Sequence, residues 1–87
     1  MADTFLLEIA TPEKLLLHEQ VSEAQIPALD GYIGILPEHA ALLGEMGAGD
    51  LSYVMGGQKH TVAVSGGWVE VVENHARVLT TVVEAAK

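Results

Sequence analysis

Apolar and polar positions alternate with a period of two along most of this chain, and helical periodicity is nearly absent. From Thr4 to Thr11, Phe5, Leu7 and Ile9 share one face while Glu8 points the other way, as in a half-buried strand. A Pro12-Glu13-Lys14 turn leads into Leu15-Leu16-Leu17, read as a short apolar strand or bridge. Alternation resumes from Val21 to Ala28, with Ser22, Ala24, Ile26 and Ala28 on the smaller face and Glu23 and Gln25 outward. Pro27 has no N–H to give to a ladder, so it predicts a sheet edge or a strand end.

Turn residues then punctuate the chain. Asp30-Gly31 closes one segment and Gly47-Ala48-Gly49-Asp50 another. Gly56-Gly57, between the runs Leu51–Met55 and Lys59–Ser65, is the strongest hairpin signal. Gly66-Gly67 is read as separating Val62–Ser65 from Trp68–Glu73. Asn74-His75 turns the chain into Arg77–Val83, where Val78, Thr80 and Val82 share a face. Helix is expected at most in Pro37–Leu43, too short to stand alone, and at Val82–Lys87. Short strands between Gly turns predict an all-β sandwich or barrel forming one domain over residues 1–87.

Composition sharpens this picture. Of 87 residues, 49% are hydrophobic and the mean hydropathy is +0.31, yet only four are aromatic: Phe5, Tyr32, Tyr53 and Trp68. So small a domain cannot hide that much aliphatic surface, so part of it is expected to meet a partner. The net charge of −8 is the wrong sign for nucleic acid or for anionic lipid. The chain has no Cys, which excludes a disulfide framework and cysteine-based metal knuckles. No apolar run reaches the roughly 18 residues that span a bilayer, and Met1 to Thr4 lack the basic region of a signal peptide. A soluble protein of a reducing compartment is expected.

Candidate chemistry is sparse. His18, His39, His60 and His75 show no spacing that would place two imidazoles on one metal. Ser65-Gly66-Gly67 has the look of a nucleophile turn, but Ala63 stands where that motif needs its first Gly, and another strand follows. Ser22 and Ser52 have no motif around them, and Glu8, Glu23, Glu70 and Glu73 fall mostly on outward faces. Gly44 to Gly49 lacks the ending of a phosphate loop. Lys59 lies near a hairpin as in lipoyl or biotinyl carrier domains, without their flanking tip pattern. No catalytic residue, metal or cofactor is expected.

One segment stands out: Asp30-Gly31-Tyr32-Ile33-Gly34-Ile35-Leu36-Pro37-Glu38-His39-Ala40-Ala41-Leu42-Leu43. Its Gly residues permit a sharp bend and Pro37 fixes a corner. It holds more aliphatics than one inward face can use. From Gly31 to Leu43 it resembles the Gly-x-x-Gly-(Ile/Val)-(Leu/Tyr)-Pro-x-His-Ala-x-Leu-Leu signature of the epsilon subunits of F-type ATP synthases. Ser65-Gly66-Gly67-Trp68-Val69-Glu70-Val71 resembles a second motif of that family, and Phe5 to Glu13 its first strand and turn. Val78-Leu79 fits its last strand, so the resemblance covers nearly the whole chain in order.

The resemblance implies a flattened β-sandwich of about ten short strands. It implies a non-catalytic central-stalk subunit that binds the gamma subunit, touches the c-ring and couples rotation to ATP synthesis, without inserting in the membrane. The implied place is peripheral, on the cytoplasmic face of a bacterial-type plasma membrane or the matrix or stromal side of an organelle. The gamma-facing strip would comprise Thr11, His39, Leu42 and Gly44, and the loop toward the c-ring Asp30, Gly31 and Tyr32. An acidic residue is common in the family where Tyr32 stands. Many members continue into two C-terminal helices, which are expected to be absent here.

Overall fold

Alternation of large apolar and polar side chains builds the first strand, β1 (Phe5–Ala10), with Phe5, Leu7 and Ile9 all but inaccessible and Leu6 and Glu8 partly exposed. The structure, a computed structural model, describes residues 3–85. It continues through β2 (Leu15–Val21), β3 (Glu23–Ala28), β4 (Gly31–Ile35), β5 (Leu42–Met55), β6 (Gln58–Val72), β7 (His75–Leu79) and β8 (Val82–Ala85). Strand order is β2-β1-β7-β6-β5-β3-β4, with β8 paired to β6. All pairings are antiparallel except β1 with β7, where Leu6 to Ala10 run alongside His75 to Leu79.

The two long strands serve two layers each. The second half of β6, Trp68 to Val72, carries β7, while its first half carries β8 through Val62 to Ser65. The first half of β5 pairs with the β7-bearing half of β6, and its second half pairs with β3. Five segments thus lie in each layer, and these are the ten short strands of the expected sandwich. Phe5, Leu7, Val69 and Val78 from one layer join Ile26, Leu51, Tyr53 and Val64 from the other in one buried cluster, so the sheet folds back on itself.

Several expectations are corrected. Gly47 to Asp50 lies inside β5 and Gly66-Gly67 inside β6, so these glycines bend continuous strands instead of ending them. The positive φ of Gly66 (72°) and Gly67 (113°) supplies that bend at little cost, since glycine has no Cβ. Pro37–Leu43 is not helical: Glu38 has φ 63°, His39 N–H bonds Leu36 C=O at 3.1 Å, and Leu42 already pairs with Val71. Val82 to Ala85 pairs with β6 as a strand, so no helix starts there; Ala86 and Lys87 lie outside the described residues. Leu15-Leu16-Leu17 opens a longer strand, and Ser22 separates β2 from β3 within the expected Val21–Ala28 run. The last strand likewise divides, at the buried Thr80. The turn expected at Asn74-His75 is centred one residue earlier, with Glu73 and Asn74 both at positive φ.

Pro27 is near the end of β3 but not at a sheet edge, because β4 lies outside it. The β3–β5 ladder slips between Gln25 and Ala28, where proline has no N–H to offer. The Gly56-Gly57 hairpin stands as read, with Met55 opposite Gln58.

Candidate functional site

The loop Asp30-Gly31-Tyr32 opens β4, and Leu42 and Gly44 open β5. These two predicted groups line one open cleft of about 440 Å³ with Leu29 and Glu45, and Leu29 N–H bonds Glu45 C=O at 3.2 Å across it. Thr11 is elsewhere. It follows β1, its N–H bonds Lys14 C=O at 2.9 Å, and it lines a second cleft of about 480 Å³ with Pro12, Trp68, Leu79 and Thr80. His39 sits in the corner between β4 and β5, which is bonded to Asn74 in the turn just before β7. Thr11 instead follows Ala10, which pairs with Leu79 at the end of β7. The predicted gamma-facing residues are therefore spread along a strand, about 17 Å at ~3.3 Å per residue.

Tyr32 has a structural task within that loop. Its hydroxyl accepts the Asp50 N–H at 3.1 Å, where the β3–β5 ladder is interrupted. Gly49 leaves the room: a Cβ there would lie 2.9 Å from the Tyr32 hydroxyl oxygen and 3.1 Å from Pro27. The ring is 58% exposed, so the loop is anchored by one hydroxyl while most of the side chain faces solvent. Tyr32→Phe should lower stability by about 1 kcal/mol through loss of that bond. Urea unfolding reads it, and an unchanged midpoint would deny the anchor.

Parity separates Leu42 from its neighbour. Leu42 is half-buried against the core, whereas Leu43 is 69% exposed on the outer face. That face runs across β5, β6, β7 and β1, with Leu43 opposite Glu70, Glu70 opposite Arg77, and Arg77 beside Glu8. In the next row Trp68 lies opposite Leu79. Trp68 and Leu79 are each about half exposed, and with Leu43 they line a shallow hollow beside Glu70 and Arg77. Arg77 reaches Glu8 at 3.7 Å and Glu70 at 4.0 Å, and His75 Nε2 hydrogen-bonds Glu8. Such partly exposed ion pairs orient more than they stabilise. Leu43 belongs to the segment whose surplus aliphatics the sequence singled out, whereas Trp68 and Leu79 were not read as contact residues. Their signal was present in the alternation, where apolar residues share the face of Glu70 and Arg77.

Some of the remaining candidates have local structural roles. The Ser22 hydroxyl donates to Val54 C=O at 3.3 Å, and the Ser65 carbonyl accepts from the Thr81 hydroxyl at 3.2 Å. His60 stacks on Tyr53 with ring centroids 5.2 Å apart. Burial, and then the Glu19 carboxylate, raise the Tyr53 phenol above its ordinary pKa. Lys59 is within β6, opposite Val54, one residue past the start of the strand and not at the hairpin tip. Among the described residues no three His, Asp or Glu side chains converge as metal ligands, and no helix is long and apolar enough to cross a membrane.

Comparison with known proteins gives a consistent family. Residues 4–86 match the family described as ATP synthase, Delta/Epsilon chain, beta-sandwich domain. The chain is 54% identical over 87 residues to the ATP synthase epsilon chain of Solibacter usitatus, covering all of this chain and 65% of that one. It is 40% identical over 84 residues to the epsilon chain of Koribacter versatilis, covering 97% of this chain and 59% of that one. The chain thus spans somewhat under two thirds of the length of these relatives. Among solved structures, a chain of the Euglena gracilis mitochondrial ATP synthase OSCP/F1/c-ring assembly is similar in fold, with a TM-score of 0.90 and 22% identity. That match covers 98% of this chain and 55% of the other. A chain of the Tetrahymena thermophila mitochondrial ATP synthase central stalk and c-ring has a TM-score of 0.79 at 18% identity, covering 92% of this chain and 65% of its own.

Proposed function

The chain belongs to the beta-sandwich family of ATP synthase delta/epsilon chains, and from that membership we propose that it acts as a non-catalytic part of the central stalk, binding the gamma subunit and touching the c-ring. The observation that carries this reading is the apolar strip Leu43, Trp68 and Leu79, exposed on the outer face of a sheet whose inner face already fills the core. An aliphatic and aromatic strip beside the paired charges of Glu8, Glu70 and Arg77 suits a protein–protein contact with an apolar centre and polar rim. The Asp30-Gly31-Tyr32 wall of the cleft is the surface we assign to the c-ring side, where Asp30 favours basic loops on the neighbour, while the Leu42 and Gly44 wall goes with His39 and Thr11 to gamma. The part played by such a domain is mechanical. Two layers packed on one aliphatic core resist shear, so a clamp between gamma and the ring transmits rotation without slipping.

This reading locates the protein peripherally on a membrane complex, at the cytoplasmic face in a bacterium or the matrix or stromal side in an organelle. Size-exclusion chromatography with light scattering, using the gamma subunit of the same organism, tests it. A one-to-one complex is the expected result. Failure to form one in several buffers, with a folded β protein verified by circular dichroism, would overturn it.

A further inference from the structure

We infer that Asn74 is a positioning residue that holds the corner between β4 and β5 in the shape in which it docks on gamma; this rests on the reading of His39 and the start of β5 as part of that contact. Among the described residues the non-glycine positions at positive φ are Glu38, Glu73 and Asn74; Glu73 and Asn74 are neighbours in the β6–β7 turn, and a hydrogen bond joins Glu38 to Asn74. Such a backbone is strained for a residue with a Cβ and persists where surrounding bonds hold it. Asn74 supplies those bonds. Its side-chain Oδ1 accepts the Glu38 N–H at 2.7 Å, and its Nδ2 donates to the Thr4 carbonyl at 2.8 Å. Its own carbonyl accepts the Leu6 N–H at 3.1 Å. One residue thus joins the β6–β7 turn to the start of β1 and to the corner where the chain crosses from one layer to the other.

The amide of asparagine is suited to this because it offers an acceptor and a donor on one short side chain, and asparagine tolerates the left-handed backbone better than most residues. The corner it holds sets the segment from His39 to Leu43 on its path into β5. Within it His39 N–H bonds Leu36 C=O, and His39 Nδ1 lies 2.7 Å from Ala40 C=O. A carbonyl can only accept, so Nδ1 carries the proton, and in the neutral ring Nε2 is left as an acceptor. Asn74 therefore presets the backbone of the corner, on which the Ala40 carbonyl in turn orients the His39 imidazole.

The test uses Asn74→Gly, which keeps the left-handed turn and removes both side-chain bonds, and Asn74→Asp, which keeps an acceptor for Glu38 while losing the donor to Thr4. Amide exchange of the free chain is followed by NMR, and the affinity for gamma is measured by calorimetry. Asn74→Gly should speed exchange at Glu38 and weaken gamma binding, each about tenfold, with core amides such as Leu7 and Val69 unchanged. Asn74→Asp should keep Glu38 protection and affinity near those of the parent. Unchanged exchange at Glu38 in Asn74→Gly would overturn the positioning role whatever gamma does. Faster exchange with undiminished affinity would overturn the docking role, and a parent chain that does not bind gamma would remove the premise, although the free-chain exchange would still report on the corner.

Discussion

Gly67→Ala should destabilise the chain by about 4 kcal/mol or more, enough to leave much of so small a domain unfolded at room temperature. At Gly67 the kinked strand β6 passes directly beneath the link between β7 and β8. A Cβ built there collides with the Leu79 carbonyl oxygen and lies 2.8 Å from Thr80 Cα and 2.9 Å from Leu79 C, all of it backbone. Side chains could swing aside, but these atoms are fixed. Thr80 N–H bonds Ala10 C=O at 3.0 Å, and its hydroxyl bonds Gly66 C=O at 2.7 Å. The φ of 113° adds strain for any residue with a Cβ. Gly66→Ala separates the two effects, since φ is 72° there and nothing lies within 4 Å of the added carbon. It should cost about 1 kcal/mol, from backbone strain alone. Urea unfolding followed by circular dichroism reads both variants. Equal losses would mean that the close approach of Leu79 and Thr80 carries no weight.

The same kink marks how far the sequence could be read. Period-two alternation put Phe5, Leu7 and Ile9 on one face and Ser22, Ala24, Ile26 and Ala28 on another; the first three, Ala24 and Ile26 are buried, while Ser22 and Ala28 are half-buried. Gly56-Gly57 is the hairpin its composition predicts. These features are local, set by pleat and turn chemistry within a few residues. What stayed hidden depends on distant pairing. Whether Gly66-Gly67 ends a strand or bends one is decided by β7 and β8, which pair with β6 on either side of it. Glu38 leaves the helical region because a corner must cross between layers, and its amide bonds Asn74, 36 residues away. Thr11 and His39 share a motif-level expectation yet lie toward opposite ends of β7, because β1 and β7 run parallel. The spatial grouping of the expected contact residues was hidden for a similar reason. Leu42 and Gly44, expected on the gamma side, line one cleft with Asp30 to Tyr32, expected on the c-ring side, and the exposed strip needed the β5–β6–β7 register to bring Leu43, Trp68 and Leu79 together.

That register makes Trp68 the residue whose truncation should weaken gamma binding most. It lines both the cleft at Thr11 and the hollow at Leu43, so with Leu79 it forms the shared wall of the two. An indole half in water offers a large apolar area and one N–H donor, the combination that dominates interface energetics when a partner covers it. Trp68→Ala should lower affinity about 30-fold, on the order of 2 kcal/mol, if the partner covers the strip centrally. Stability should change little, because the ring is 51% exposed and outside the core. Leu42→Asp would be a poor probe, since Leu42 packs against the core and a charge there damages the fold before it reports on binding. Val72→Ala is the better companion: it lies on the same strand, 42% exposed and beyond Glu70, and should be near neutral at the rim. Calorimetric titration with gamma decides it, with thermal unfolding as the check on the fold. A folded Trp68→Ala variant that binds like the parent would put the contact on another face and leave the strip without its assigned partner.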